Sequence, residues 1–305
     1  MNAPLIPQAN PGAAFRSRRD ALLKAAEVIA NARPTAVNLS WAVRRMMSTL
    51  LPRDPALRFE AAVKTAEAMT QEDVMTCRAI GEAGMTLISD LYARLRRPVN
   101  VLTHCNAGWL ATVDYGTALS PIYMAFEQGT PLHVWVDETR PRNQGLLTAW
   151  ELGQHGVPYT LVADNAGGQL MQQCDVDLVI VGADRITRRG DVANKIGTYL
   201  KALAAVDNEV PFYVAAPSST IDWTLNDGKR EIPIENRAAS ELLVVNGVGS
   251  DGETRTVQIA APEVAVANPA FDVTHNRFVT GIITERGIVK PTDLTAVFAD
   301  LLPKA

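Results

Sequence analysis

Cysteine is scarce. Only Cys77, Cys105 and Cys174 occur among 305 residues, far apart and with no paired spacing. That argues against a disulfide framework and fits a reducing compartment. An excess of one charge is also missing: 29 Lys and Arg stand against 33 Asp and Glu, a net charge of −4. Without a basic surplus the chain carries no electrostatic footprint for nucleic acid, although a few local cations can still hold an anionic substrate. No apolar run is long enough to span a bilayer. The first residues, Met1-Asn2-Ala3-Pro4-Leu5-Ile6-Pro7, lack the charged-then-apolar form of a signal peptide. These absences predict a cytoplasmic protein with neither membrane nor nucleic acid as partner. There is no P-loop, no His-Glu-x-x-His and no Cys/His cluster, so neither nucleotide hydrolysis nor a metal is expected.

One glycine pattern could mislead. Gly247-Val248-Gly249-Ser250-Asp251-Gly252 matches G-x-G-x-x-G, but a dinucleotide loop must open a helix. The alternating Thr254-Arg255-Thr256-Val257-Gln258-Ile259 follows instead, which predicts a hairpin turn and no nicotinamide cofactor.

What is present centres on Val99-Asn100-Val101-Leu102-Thr103-His104-Cys105-Asn106-Ala107-Gly108. An apolar, β-prone run ends abruptly in polar and small residues. A buried parallel strand looks like this when it delivers side chains to a crevice at its carboxyl end. Cys105 is the strong nucleophile or proton carrier of the set. The strand pattern leaves a second reading equally open, a small apolar residue filling space.

Around that stretch the chain divides. Residues 1–13 are expected to be a loose tail, and 14–97 a small helical domain. Its helices are expected over 14–31, from Pro34 through Met46, and as a pair over 55–92, the second weakened by Gly81 and Gly84. The boundary falls at Arg96-Arg97-Pro98. From 98 to 305 strand and helix alternate, with strands over 100–103, 133–136, 159–162, 178–181 and 212–215. Helices over 116–127, 145–154, 168–173 and 194–206 separate them. That rhythm predicts an α/β fold, a Rossmann-like parallel sheet with right-handed crossovers. Residues 232–291 depart from it, with strands over 242–245 and 256–259 and a last strand over 280–284.

Three further stretches carry chemistry. Asp184, in Val181-Gly182-Ala183-Asp184-Arg185-Ile186, follows an apolar strand. A carboxyl in an apolar mouth has its charged form disfavoured, which suits a proton donor near neutral pH. A capping or salt-bridged role beside Arg185, Arg188 and Arg189 is the other reading. Asn194-Lys195-Ile196-Gly197-Thr198 reads as a helix start with a cation in its first turn. That is unfavourable against the helix dipole unless an anion binds there too. A solvated surface lysine is the alternative. Asp137-Glu138-Thr139-Arg140-Pro141-Arg142-Asn143-Gln144-Gly145 packs acids, arginines and amides into one loop, where specificity is often carried. His133 and His155 read as structural.

Taken together and in order, these motifs resemble the S-methyl-5-thioribose-1-phosphate isomerase family. Arg33-Pro34-Thr35-Ala36-Val37-Asn38-Leu39 and Asn268-Pro269-Ala270-Phe271-Asp272-Val273-Thr274 share the likeness, which covers roughly residues 20–300. The wider superfamily includes ribose-1,5-bisphosphate isomerase and regulatory subunits of a translation initiation exchange factor. The resemblance implies an aldose–ketose isomerisation in methionine salvage, without metal or nucleotide, by a homodimer. It places the catalytic cysteine and aspartate on Cys105 and Asp184, and substrate contacts on Arg33, Gln144, Asn194 and Lys195. Asp184 would protonate the ring oxygen. Cys105 would carry a proton from C2 to C1 as a thiolate, given nearby positive charge, or stand by during a hydride shift. Members of the family also carry a segment ending in Arg-Gly-Ala-Pro-Ala-Ile-Gly that grips the phosphate, and no such motif precedes Arg33. The expectation is therefore a phosphate site short of one anchor, a different sugar 1-phosphate such as 5-deoxyribose 1-phosphate or ribose 1,5-bisphosphate, or a silent binding protein. One lost charged hydrogen bond weakens binding by about 1.5–3 kcal/mol, about ten- to a hundredfold.

Overall fold

The structure is a computed structural model and describes residues 11–303. The expected tail lies, up to residue 10, outside the described residues, and residues 11–13 are not tail but the first turn of a helix. Helix α1 (Pro11–Ala30) begins with proline at its first position, where the missing N–H costs nothing. Helix α2 (Val37–Leu50) follows, then α3 (Arg58–Leu95). The alternating part contains β1 (Val99–Thr103), α4 (Ser120–Glu127), β2 (Leu132–Asp137), α5 (Gln144–Gln154), β3 (Tyr159–Val162), α6 (Ala166–Gln172) and β4 (Leu178–Val181). Next come β5 (Arg185–Thr187), β6 (Val192–Lys195), α7 (Thr198–Asp207), β7 (Phe212–Ala215) and β8 (Ile221–Asp222). The last strands are β9 (Val244–Val248), β10 (Thr254–Gln258), β11 (Phe271–Thr274), β12 (Gly281–Thr284) and β13 (Gly287–Val289).

The main sheet has seven strands in the order β13-β12-β7-β4-β1-β2-β3, all parallel except the β12–β13 pair. From β1 the chain moves outward to β2 and β3, then returns across β1 to β4 and β7. The carboxyl ends of β1 and β4 therefore flank a topological switch point, where an open α/β sheet leaves a crevice for a ligand. Strand residues alternate between two apolar layers. Val99, Val101, Leu178 and Ile180 pack with Ile80, Ile88, Ile122 and Leu152 from α3, α4 and α5. Leu102, Val179 and Val181 pack with Met171, Ala202 and Ala205 from α6 and α7. Both faces are covered, which is why these strands read as continuous apolar runs.

The structure corrects three expectations. Residues 55–92 do not form two helices. After a short turn at Pro55–Leu57, α3 runs unbroken for 38 residues. Gly81 and Gly84 are contact points for α4: a Cβ on Gly81 would strike Ser120 Oγ, and one on Gly84 would lie 2.5 Å from Pro121 Cγ. Second, Asn194 and Lys195 do not open a helix. They end β6, which pairs antiparallel with β11 and β5, and α7 starts only at Thr198. Pairing with β11, distant in sequence, overrides the local helical pattern. Third, the four-stranded sheet β11-β6-β5-β8 was not foreseen. The residues 247–252 do lie in a hairpin, β9–β10: Gly247 and Val248 end β9 and the turn follows, with Gly252 at φ +82°. Among the described residues, no helix is long and apolar enough to cross a membrane.

The α3–α4 contact yields a stability prediction. Gly84→Val overpacks it and is expected to lower unfolding free energy by about 1–3 kcal/mol. Gly153→Ala, at an exposed position of α5 with no neighbour nearer than 3.5 Å, is expected to raise it by up to about 1 kcal/mol. Urea unfolding of both variants is the check; a neutral Gly84→Val contradicts the close approach.

Candidate active site

Two residues beyond the end of β1, the backbone of Cys105 turns into the left-handed region at φ +70°. A non-glycine residue stays there only when its surroundings hold it. Here Cys105 N–H donates to Thr139 Oγ1 (2.8 Å), and Thr148 Oγ1 donates to the Cys105 carbonyl (2.7 Å). The loop beyond is pinned by Glu151 of α5, fully buried and with no cation on it among the described residues. Its carboxylate accepts from Asn106 Nδ2 (2.8 Å), the N–H groups of Trp109 (2.9 Å) and Leu110 (3.2 Å), and Tyr123 Oη (2.8 Å). Four donors replace the water that the carboxylate gave up.

On the other side of Cys105, His104 Nε2 donates to the Ile196 carbonyl (2.8 Å) and Nδ1 donates to Asp137 Oδ2 (2.9 Å). Lys201 Nζ reaches the same oxygen at 3.0 Å. His104, Asp137 and Asp164 have the spacing of a metal site. The Lys201 ammonium already contacts Asp137 and the Asp164 carbonyl, so a fixed cation occupies that group.

Asp184 follows β4. Its N–H donates to the Ala193 carbonyl (2.9 Å), and its carbonyl accepts from Val37 N–H (3.0 Å). Gly182 allows the β4 end to meet the cysteine loop, because a Cβ there would lie 2.8 Å from Ala107 Cβ. Arg185 turns away from Asp184. It pairs with Asp222 (2.8 Å) and donates to the carbonyls of Thr35 (2.9 Å) and Pro34 (3.0 Å), clamping the Arg33 segment to the sheet.

A cavity of about 610 Å³ opens here, and Arg33, Cys105, Gln144, Asp184, Asn194 and Lys195 all line it. The structure thus brings together all six residues that the sequence singled out. Arg33 Nη2 lies 3.6 Å from Asp184 Oδ1. The Gln144 side-chain oxygen is buried without a partner among the described residues, while Asn194 Nδ2 donates to Thr198 Oγ1 (3.0 Å). Lys195 is not a solvated surface residue: it is buried, with Nζ 4.3 Å from the centre of the Phe271 ring. The anion expected at the start of α7 is also not needed. Asp272 accepts there from Gly197 N–H (2.7 Å) and Tyr199 N–H (3.1 Å).

Burial sets the protonation states. It pushes the Cys105 thiol up to about 11, outweighing the downward pull of Lys195 and Arg33. It likewise raises Asp184 above the ordinary carboxylate range, against the same two cations, and lowers Lys195. At neutral pH Cys105 is therefore a thiol, not the thiolate that the sequence allowed for, and burial biases Asp184 toward its protonated form. Glu151, Glu235 and Arg237 carry no signal of their own in the sequence. Glu151 sits among helix-patterned residues, and the other two lie in the stretch without strand–helix rhythm.

The profile described as the Initiation factor 2 subunit family matches residues 7–291. A methylthioribose-1-phosphate isomerase of Gluconobacter oxydans is 60% identical over 271 residues, covering 88% of this chain and 74% of that protein. Another, of Acidiphilium cryptum, is 58% identical over 306 residues, covering 98% and 83%. The crystal structure of 5-methylthioribose 1-phosphate isomerase from Pyrococcus horikoshii superposes with a TM-score of 0.76 at 41% identity, covering 96% of this chain and 78% of that one. The eIF-2B delta subunit from A. fulgidus gives 0.72 at 41% identity, covering 93% and 80%. The chain belongs to the initiation factor 2 subunit family and, within it, to the methylthioribose-1-phosphate isomerases.

Proposed function

We propose that this protein interconverts S-methyl-5-thioribose 1-phosphate and S-methyl-5-thioribulose 1-phosphate in methionine salvage. The observation that carries the reading is the convergence of Cys105, Asp184, Lys195 and Arg33 on one cavity at the switch point of the sheet. Phosphate on the anomeric oxygen prevents the ring from opening by loss of a hydroxyl proton. Asp184, holding its proton, donates it to the ring oxygen as the C1–O bond breaks. Positive charge develops at C1, and the C2 hydrogen then moves there. If it moves with its electron pair, the new C1–H bond forms directly. The C2 hydroxyl gives its proton to the Asp184 carboxylate, the carbonyl forms at C2, and the acid is restored. If it moves as a proton, Cys105 must first become a thiolate to remove it and return it to C1. The raised thiol favours the first route, with Cys105 as a neutral wall of the reacting centre. Lys195 and Arg33 hold phosphate by charge-assisted hydrogen bonds. Gln144 and Asn194 offer amides to the hydroxyls. Leu110 and Leu147 supply apolar wall for the methylthio group, which a second phosphate would not match.

The homodimer is supported by α5, which leaves Leu146 (50%), Leu147 (47%) and Trp150 (50%) open beside Leu110. That is an apolar surface a second copy would cover. Three free cysteines support a cytoplasmic setting.

Following ketose formation from the aldose phosphate by NMR tests the function; no turnover at high enzyme concentration overturns it, and a panel with ribose 1,5-bisphosphate and 5-deoxyribose 1-phosphate sets the substrate. Asp184→Asn is expected to lower kcat by about 10²–10⁴-fold, the usual contribution of a positioned acid. With deuterium at C2, label found at C1 is expected, and washout into solvent assigns the transfer to a Cys105 thiolate.

The pH dependence follows from the direction of the Asp184 shift. A donor must be protonated, so kcat is expected to fall as pH rises through the raised value, a limb that Asp184→Asn lacks. Stability has the same sign. The folded carboxyl keeps its proton to a higher pH than the unfolded one, so its ionisation weakens the fold as pH rises. Asp184→Asn is expected to melt higher than wild type at pH 8, with the gap closing near pH 4. An unchanged gap across that range removes Asp184 as the cause.

A further inference from the structure

We propose that Arg237 is a further phosphate-binding residue of this cavity, presenting its free Nη1 group to a phosphoryl oxygen of the substrate. The proposal rests on the reading of the site as one for a sugar 1-phosphate. It starts from an unsatisfied group. The Arg237 side chain is only 12% exposed, and its Nε (3.2 Å) and Nη2 (2.9 Å) both donate to Glu235 Oε2. Nη1 is buried and finds no acceptor among the described residues. A buried guanidinium nitrogen is costly to leave unpaired, and this one belongs to a residue that lines the cavity of Cys105 and Asp184.

The surrounding charges point to a dianion. Glu235 serves two guanidinium groups: Oε2 takes Arg237, and Oε1 lies 3.9 Å from Arg33 Nε. Oε1 also accepts from Thr35 N–H at 3.3 Å. One carboxylate thus spaces two arginines that the sequence places 204 positions apart (237 minus 33). Lys195 joins them, because its ammonium and the Arg237 guanidinium lean on the same Phe271 ring, at 4.3 and 5.3 Å from its centre. Arg33, Arg237 and Lys195 set three basic side chains around the single carboxylate of Glu235, with burial biasing Asp184 toward its neutral form. The surplus matches a phosphate monoester in its dianionic form. The planar fork of an arginine, with one edge fixed on a carboxylate, leaves its other nitrogen oriented for an anionic oxygen. The backbone is fixed as well: Arg237 N–H donates to the Asn268 carbonyl at 2.9 Å, next to the bridge between Asn236 and Pro269.

The competing account makes Arg237 only a structural partner of Glu235. Two competitors separate the accounts. In the isomerase assay, inhibition constants are measured for inorganic phosphate and for unphosphorylated methylthioribose, with wild type, Arg237→Met and Arg237→Lys. Arg237→Met is expected to raise KM and the phosphate inhibition constant about ten- to a hundredfold, with methylthioribose inhibition changed less than twofold. Arg237→Lys is expected to recover part of the loss, and it carries the test if the methionine variant does not fold. Unchanged phosphate inhibition, or equal weakening of both competitors, overturns the proposal. Failure of the underlying reading shows separately, as wild type that does not turn over the substrate. Calorimetric titration of wild type and Arg237→Lys with inorganic phosphate then decides the Arg237 contact alone: equal affinities overturn it.

Discussion

Asp137 Oδ2 holds two buried basic side chains, His104 Nδ1 at 2.9 Å and Lys201 Nζ at 3.0 Å, at the carboxyl end of β2. The geometry of the site depends on this array. His104 immediately precedes Cys105, and its other ring nitrogen holds the Ile196 carbonyl just past the end of β6. Lys201 comes from α7 and also reaches the Asp164 carbonyl, while the Asp164 carboxylate accepts from the N–H groups of Thr139 (2.7 Å) and Arg140 (2.8 Å). One set of charges thereby ties together β1, the loops after β2 and β3, β6 and α7. Removing one member of such an array leaves an uncompensated charge, typically destabilising by about 3–5 kcal/mol. That stake keeps the Cys105 backbone in its left-handed conformation.

The same dryness that makes the array strong also fixes the chemistry of the cavity. In a low-dielectric setting each group takes the protonation state that costs least to bury. A thiol and a carboxyl become neutral more easily than they find partners, so Cys105 and Asp184 both move upward. Lys195 is pushed down by the same force, but it keeps the Phe271 ring as an aromatic partner. The site thus joins an acid biased toward its protonated form to a surplus of basic side chains, and the substrate phosphate brings the complementary negative charge. Preorganised charges of this kind stabilise developing charge without reorganisation at the moment of reaction.

Sequence was informative where one physical rule dominated locally. Buried parallel strands must be apolar on both faces and end in polar residues, and β4 and β7 occupy the residues expected of them. Cys105 and Asp184 were legible for that reason, since both stand just past such strands. It failed where partners distant in sequence decide. Asn194 and Lys195 look like the start of a helix until β11, almost eighty residues later, pairs with them. Gly81 and Gly84 look like weak points in a helix until α4 is seen to need their missing side chains. Glu151 and Arg237 have no local signature, because their roles come from a loop forty residues upstream and from a carboxylate that also serves Arg33.

Fold likeness alone does not choose among the functions of the superfamily. The isomerase from Pyrococcus horikoshii and the eIF-2B subunit from A. fulgidus are both 41% identical to this chain, and their TM-scores differ by little. Function lives in the site built on the fold, so the choice rests on the cavity. An isomerase needs an acid that stays protonated, a dry reacting centre and a grip on phosphate. A regulatory module that only senses a sugar phosphate needs the grip alone. Burying Asp184 and Cys105 together lowers the cost of neither, and it contributes nothing to holding an anion, since a nearby carboxyl weakens that hold whenever it ionises. Such an expensive placement is accounted for by proton donation into a water-poor cleft, and binding by itself gives no reason for it.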